Sequence, residues 1–132
     1  MPLALLVALV LAGCDPLDAN ELKHELGTIH STAAEGALLA RLAAEGRTKP
    51  SFIRVHGRDL SDTADSRAQK LQDGSKPAGL KPQIDKAIDL ASSISSDISD
   101  MTLKPHDRAL AAKTEQKLLK EAADAQKMED SL

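Results

Sequence analysis

Residues 18–45 read DANELKHELGTIHSTAAEGALLARLAAE, and within this stretch Leu22, Leu26, Ile29, Ala33, Gly36, Ala40 and Ala43 recur at spacings of 4-3-4-3-4-3. A run of small or apolar residues with that period is the buried stripe of an α-helix, and a strand would need a period of two. Asp18 and Glu21, with Asp15 just upstream, set negative charge against the positive end of the helix dipole. Gly46 is the expected residue after the C-cap, where left-handed backbone closes a helix. Gly36 lies on the stripe itself. A helical glycine costs about 1 kcal/mol relative to alanine, so this one marks a close helix crossing where no Cβ fits. Leu38, Leu39 and Leu42 widen the apolar face, so the helix meets more than one neighbour.

Three breakpoints divide the rest: Gly46–Pro50, Asp73–Gly79 running on to Lys81-Pro82, and Lys104-Pro105. They delimit a second helix over about Ser51–Asp73, with Ser51 as its expected N-cap and a core side of Phe52 or Ile53, Val55, Leu60, Ala64, Ala68 and Leu71. The third spans about Pro82–Leu103 with Ile84, Ile88, Ala91, Ile94, Ile98 and Met101 inward. Its serine-rich middle makes it the least stable of the set. The fourth follows Pro105 and reaches almost to Leu132 along Ala111, Thr114, Leu118, Glu121, Ala125, Met128 and Leu132. Glu121 falls on that stripe, either as a polar core position or as a sign that Leu119 and Ala122 define the true face; the second reading is preferred. Helices of similar length joined by short turns predict an all-α fold, an up-down-up-down antiparallel four-helix bundle. The alternative is a long helical hairpin that completes its core by dimerising.

Upstream of the helices, Leu3–Ala12 is wholly apolar and ends in Leu11-Ala12-Gly13-Cys14, with Cys14 the only cysteine of 132 residues. Ten helical residues span about 15 Å, half a bilayer's hydrocarbon core, which suits the apolar region of a secretory signal rather than a permanent span. Here the sequence resembles a bacterial prolipoprotein. The resemblance implies diacylglycerol transfer to the Cys14 thiol, cleavage after Gly13, and a chain divided into a 1–13 signal peptide and a 14–132 lipid-anchored bundle domain. It also implies the bacterial cell envelope as address, with Asp15 resembling a signal for retention at the outer face of the cytoplasmic membrane. Met1–Leu11 carries no Lys or Arg, so the basic region that opens such a signal is expected upstream of Met1.

Composition narrows the function. Phe52 is the only aromatic residue, which leaves no platform for stacking sugars or single-stranded nucleic acid. A net charge of −3 makes no case for nucleic-acid binding. Four histidines, His24, His30, His56 and His106, are the candidates for a metal or haem. Glu21-Leu22-Lys23-His24 has the spacing used by carboxylate-bridged metal bundles, but His56-Gly57-Arg58-Asp59 is a poor second half. In a bundle of this topology, His24 and His30 fall away from the end that holds His56 and His106. Covalent haem is excluded by the missing Cys-x-x-Cys-His. No Gly-x-Ser-x-Gly turn or other nucleophile–base context is present, so the chain is read as non-enzymatic, without catalytic residues, cofactor or metal. A metal- or haem-binding bundle lipoprotein is the alternative.

Charge is unevenly distributed. Residues 15–46 carry six acids and two bases, and residues 47–73 carry six bases and four acids. The bundle topology gathers Arg41, Arg47, Lys49, Arg54, Lys104, His106 and Arg108 at the end furthest from Cys14. Arg47, Lys49, Arg54, Arg58 and Arg108 are the candidate partner-binding residues, suited to an acidic protein partner. The expected role is an adaptor or accessory subunit, its membrane contact made through lipidated Cys14. A solvated turn region rich in Lys and Arg is the plainer alternative.

Overall fold

The computed structural model describes residues 17–132, so Leu3–Cys14 and Asp15 lie outside the described residues. Four helices follow in order: α1 Ala19–Ala44, α2 Pro50–Asp73, α3 Lys81–Leu103 and α4 Arg108–Asp130. No strand occurs among the described residues.

Local chemistry sets the ends. Asp18 caps α1 by accepting from the Glu21 backbone N–H at 2.8 Å, and Asp107 caps α4 by accepting from Leu110 N–H at 2.9 Å. The expected cap at Ser51 is not used. Pro50, with its φ already helical and no N–H to leave unpaired, opens α2, so the N-cap falls on Lys49, whose side chain makes no capping bond. Gly46 ends the α1 turn at φ +66°, and a Cβ there would also lie 2.6 Å from the Arg108 guanidinium carbon.

The helices run up-down-up-down. Cross-helix contacts fix the antiparallel registers: Glu25 meets Lys70 between α1 and α2, Ser61 meets Ser95 between α2 and α3, Lys117 meets Asp97 between α3 and α4, and His30 meets Ala122 between α1 and α4. The closest pairs are α1 with α4 and α2 with α3. Small residues explain this, since eleven of the 24 buried apolar residues are alanine and permit close backbone approach. Leu22, Leu26, Ile29, Leu71, Ile84, Ile94, Ile98 and Leu118 fill the centre at 0% exposure, each contributing about 1.5–3 kcal/mol by burial.

Every residue of the α1 stripe is buried. Gly36 is the expected crossing: a Cβ there would lie 2.8 Å from Ile98 Cδ1 and 3.1 Å from Leu118 Cδ1, so α3 and α4 both press on this point. Leu39 joins the core, but Leu38 faces solvent.

The other three helices correct the expected faces. In α2, Ile53 takes the core position while Phe52 and Val55 are 51% and 66% exposed, because the continuous stripe is Ile53, Gly57, Leu60, Ala64, Ala68 and Leu71 and excludes both. In α3, Ala87 is buried and Ile88 only half-buried. In α4, Glu121 is buried with Ala122, and Leu119 is 48% exposed, so the rejected polar core position is the one adopted.

Two acids therefore lie inside the bundle. Glu25, at 0% exposure, receives Lys70 at 2.5 Å and Arg67 at 3.3 Å, and Lys70 also reaches Glu21 at 2.6 Å. Hydrogen bonds to Glu21 and Glu25 hold the Lys70 ammonium above its usual range. Glu121 accepts from the Ser93 hydroxyl across the α3–α4 seam.

Candidate functional site

The α1–α2 and α3–α4 connections meet at one end of the bundle, and the α2–α3 connection lies at the other. Leu17, 5% exposed, packs into the latter end, where a Cβ on Gly74 would lie 2.8 Å from its Cδ1. The chain thus enters the bundle beside the α2–α3 loop, and the first end is distal to it.

The distal half is basic. Residues 32–61 and 92–119, the distal half of the four helices with the connections there, hold nine Lys or Arg against seven Asp or Glu, whereas the remaining described residues hold eight against twelve. The resulting charges of +2 and −4 lie in opposite halves of a rod whose first helix, 26 residues at about 1.5 Å each, is about 39 Å long.

Not all of this charge is free. Arg41 lies 3.5 Å from Glu45 and 3.7 Å from Glu115, and Arg47 lies 3.1 Å from Glu45, so the C-terminal turn of α1 partly neutralises itself. Lys49, Arg54, Arg58, Lys104 and Arg108 are exposed and make no ion pair among the described residues. The structure thus sets Arg47 apart from Lys49, Arg54, Arg58 and Arg108. The Arg108 guanidinium rests over Gly46 and borders a cleft of about 330 Å³ lined also by Thr48, Pro50, Pro105 and His106. Among the described residues no acidic side chain lines this cleft.

Exposed apolar side chains accompany the cations. Phe52 lies two residues before Arg54 and Val55 directly after it, and Leu103, 76% exposed, precedes Lys104. Such mixed surface suits a partner offering both carboxylates and apolar side chains. These positions escape a search for charge alone; the signal available was the phase of Phe52 and Val55, which falls outside the Ile53–Leu71 stripe.

The histidines have separate surroundings. His56 Nε2 lies 3.0 Å from Glu35 Oε1 and its ring stacks on Phe52 at 5.3 Å between centroids. His30 Nδ1 lies 2.9 Å from the Ala122 carbonyl, His106 borders the distal cleft, and His24 borders a shallow groove over the outer face of α1. Among the described residues no three His, Cys, Asp or Glu side chains are grouped to hold a metal ion. Among those residues, no helix is long and apolar enough to cross a membrane.

No protein-family model matches the chain, and no curated protein or solved structure matches it significantly.

Proposed function

We propose that the chain is a non-enzymatic lipoprotein of the bacterial cell envelope, anchored through Cys14 at the outer face of the cytoplasmic membrane. It acts as an adaptor or accessory subunit whose bundle presents its basic end to an acidic protein partner. The observation that carries this reading is the partition of charge along the rod, with unpaired Lys49, Arg54, Arg58 and Arg108 at the end remote from chain entry. Leu11-Ala12-Gly13-Cys14 supports the anchor. Cys14 precedes the buried Leu17 by three residues, a reach of about 10 Å of extended chain, so an anchor there holds the acidic end near the membrane and leaves the basic end outermost. Two acyl chains suffice for stable attachment, each buried CH₂ contributing about 0.8 kcal/mol.

The anchor is tested by fractionation and intact-mass measurement of the native chain and Cys14→Ser. The native chain is expected in membranes, beginning at a diacylglyceryl Cys14; Cys14→Ser is expected uncleaved or soluble. Equal membrane association of both, with an unmodified Cys14, overturns the anchor.

A further inference from the structure

The seam between α3 and α4 holds two acids, Glu121 and Asp97, each with a buried carboxylate oxygen that has no partner. Glu121 is 9% exposed; one carboxylate oxygen accepts from the Ser93 hydroxyl, and the other, Oε2, is buried without a partner. Across the seam, the Asp97 side chain is 12% exposed; its Oδ1 receives Lys117, and its Oδ2 is likewise buried without a partner. Two buried acceptor oxygens on facing helices, with no donor between them, form an arrangement that native interiors avoid, because each unsatisfied oxygen costs about 1–3 kcal/mol. A single proton relieves the conflict: the two carboxyls are hydrogen-bonding neighbours, and a carboxyl O–H on Glu121 supplies the donor that two carboxylates lack.

We propose that Glu121 and Asp97 share one proton across the α3–α4 seam, and that this pair makes the bundle tighten as pH falls and loosen as pH rises.

Lys117 determines where the proton resides. Its ammonium bonds Asp97, and Asp97, more than any other group, holds Lys117 above its usual range. Glu121 has no such cation bonded to it. Burial is the chief cause that pushes its carboxyl above the ordinary value, with the Asp97 charge and hydrogen bond adding to it and Ser93 and Lys117 opposing. The facing groups are few. On α3 they are Ser93 and Asp97, with Asp100 acting on Lys117; on α4 they are Lys117 and, in the same groove as Asp97 and Asp100, Lys113; on α1, His30 meets the carbonyl of the neighbouring Ala122.

Because the folded value lies above the unfolded one, the native state binds the proton more tightly. The stabilisation is complete below the unfolded value of 4.5 and is lost as pH rises through the raised folded value. The pair remains one coupled titration, read at Glu121 because Asp97 has its own cation.

The test is a carbon-detected NMR titration of the Glu121 side-chain carboxyl in the described domain as it exists in the full chain, with melting temperatures from about pH 5 to about pH 8. The expected midpoint for Glu121 lies above the ordinary carboxylate range, and it falls in Asp97→Asn, where the neighbouring charge is gone and an amide can donate to ionised Glu121. Glu121→Gln carries the donor permanently, so its melting advantage over the native chain should grow as pH rises through the raised Glu121 value and level off above it. An ordinary Glu121 midpoint, one unmoved by Asp97→Asn, or a pH-independent difference between Glu121→Gln and the native chain would overturn the proposal. The native-chain titration reads the proton directly even where a variant fails to fold.

Discussion

Glu25 offers a test of the packing account, because the two sides of its ion pair differ in exposure. The carboxylate is at 0% exposure, while the Arg67 and Lys70 side chains that reach it are 31% and 46% exposed. Replacing Glu25 with Met removes a buried charge and fills much the same volume. Both cations remain near water, and Lys70 keeps Glu21 at 2.6 Å. A volume-conserving exchange of this kind costs less than about 1.5 kcal/mol and can be neutral, since the desolvation of the carboxylate is relieved. The double replacement Arg67→Ala/Lys70→Ala does the reverse and strands a fully buried carboxylate, a loss of about 3–5 kcal/mol. With a urea slope of about 1–3 kcal/mol per M for a domain of this size, the double variant should unfold at a midpoint about 1–5 M lower than wild type, and Glu25→Met within about 1.5 M. Equilibrium urea unfolding followed by far-UV circular dichroism measures both. A Glu25→Met loss equal to that of the double variant would refute the reasoning, as would a double variant within about 1 kcal/mol of wild type.

Gly36→Ala gains about 1 kcal/mol of helix propensity but forces Ile98 Cδ1, 2.8 Å from the new Cβ, out of place. Overpacking costs about 1–3 kcal/mol, so the single variant should be neutral to destabilised. Its cost should shrink in an Ile98→Val background, which removes the closest contact and leaves Leu118 Cδ1 at 3.1 Å, and a double-mutant cycle by thermal unfolding reads the coupling. Ile53→Ala should cost about 2–5 kcal/mol while Phe52→Ala, at a position 51% exposed, stays near neutral. Equal losses at the two neighbours, measured in urea, would contradict the assigned face of α2.

The helical frame was legible because its signals are local. The 4-3 spacing from Leu22 to Ala43 needs only one helix to be recognised, and Gly36 and Gly46 announce themselves as the residues a crossing and a left-handed turn require. What could not be read depends on partners from other helices. Glu25 is buried because Arg67 and Lys70 arrive from α2, and Glu121 because Ser93 arrives from α3; neither acid differs in its own sequence surroundings from a solvated one. Phe52 and Val55 were drawn inward by hydrophobicity, and the phase of the Ile53–Leu71 stripe overrode that. At the distal end, clustered bases were legible as composition and topology. The self-neutralisation of Arg41 and Arg47 by Glu45 and Glu115 was not, since it depends on side-chain geometry.

The most direct measurement of the adaptor reading is in-cell crosslinking from a photoreactive residue placed at Val55, between Arg54 and Arg58, compared with one at exposed Lys86 in the acidic half. Each probe is carried by the anchored chain, by Cys14→Ser and by Arg54→Glu/Arg58→Glu, with helix content checked by circular dichroism. The account predicts one discrete acidic protein joined to Val55 in the anchored chain, absent from Lys86 and lost in both variants at unchanged helicity. Identical products from both probes, or a Val55 product that survives the charge reversal, would contradict it.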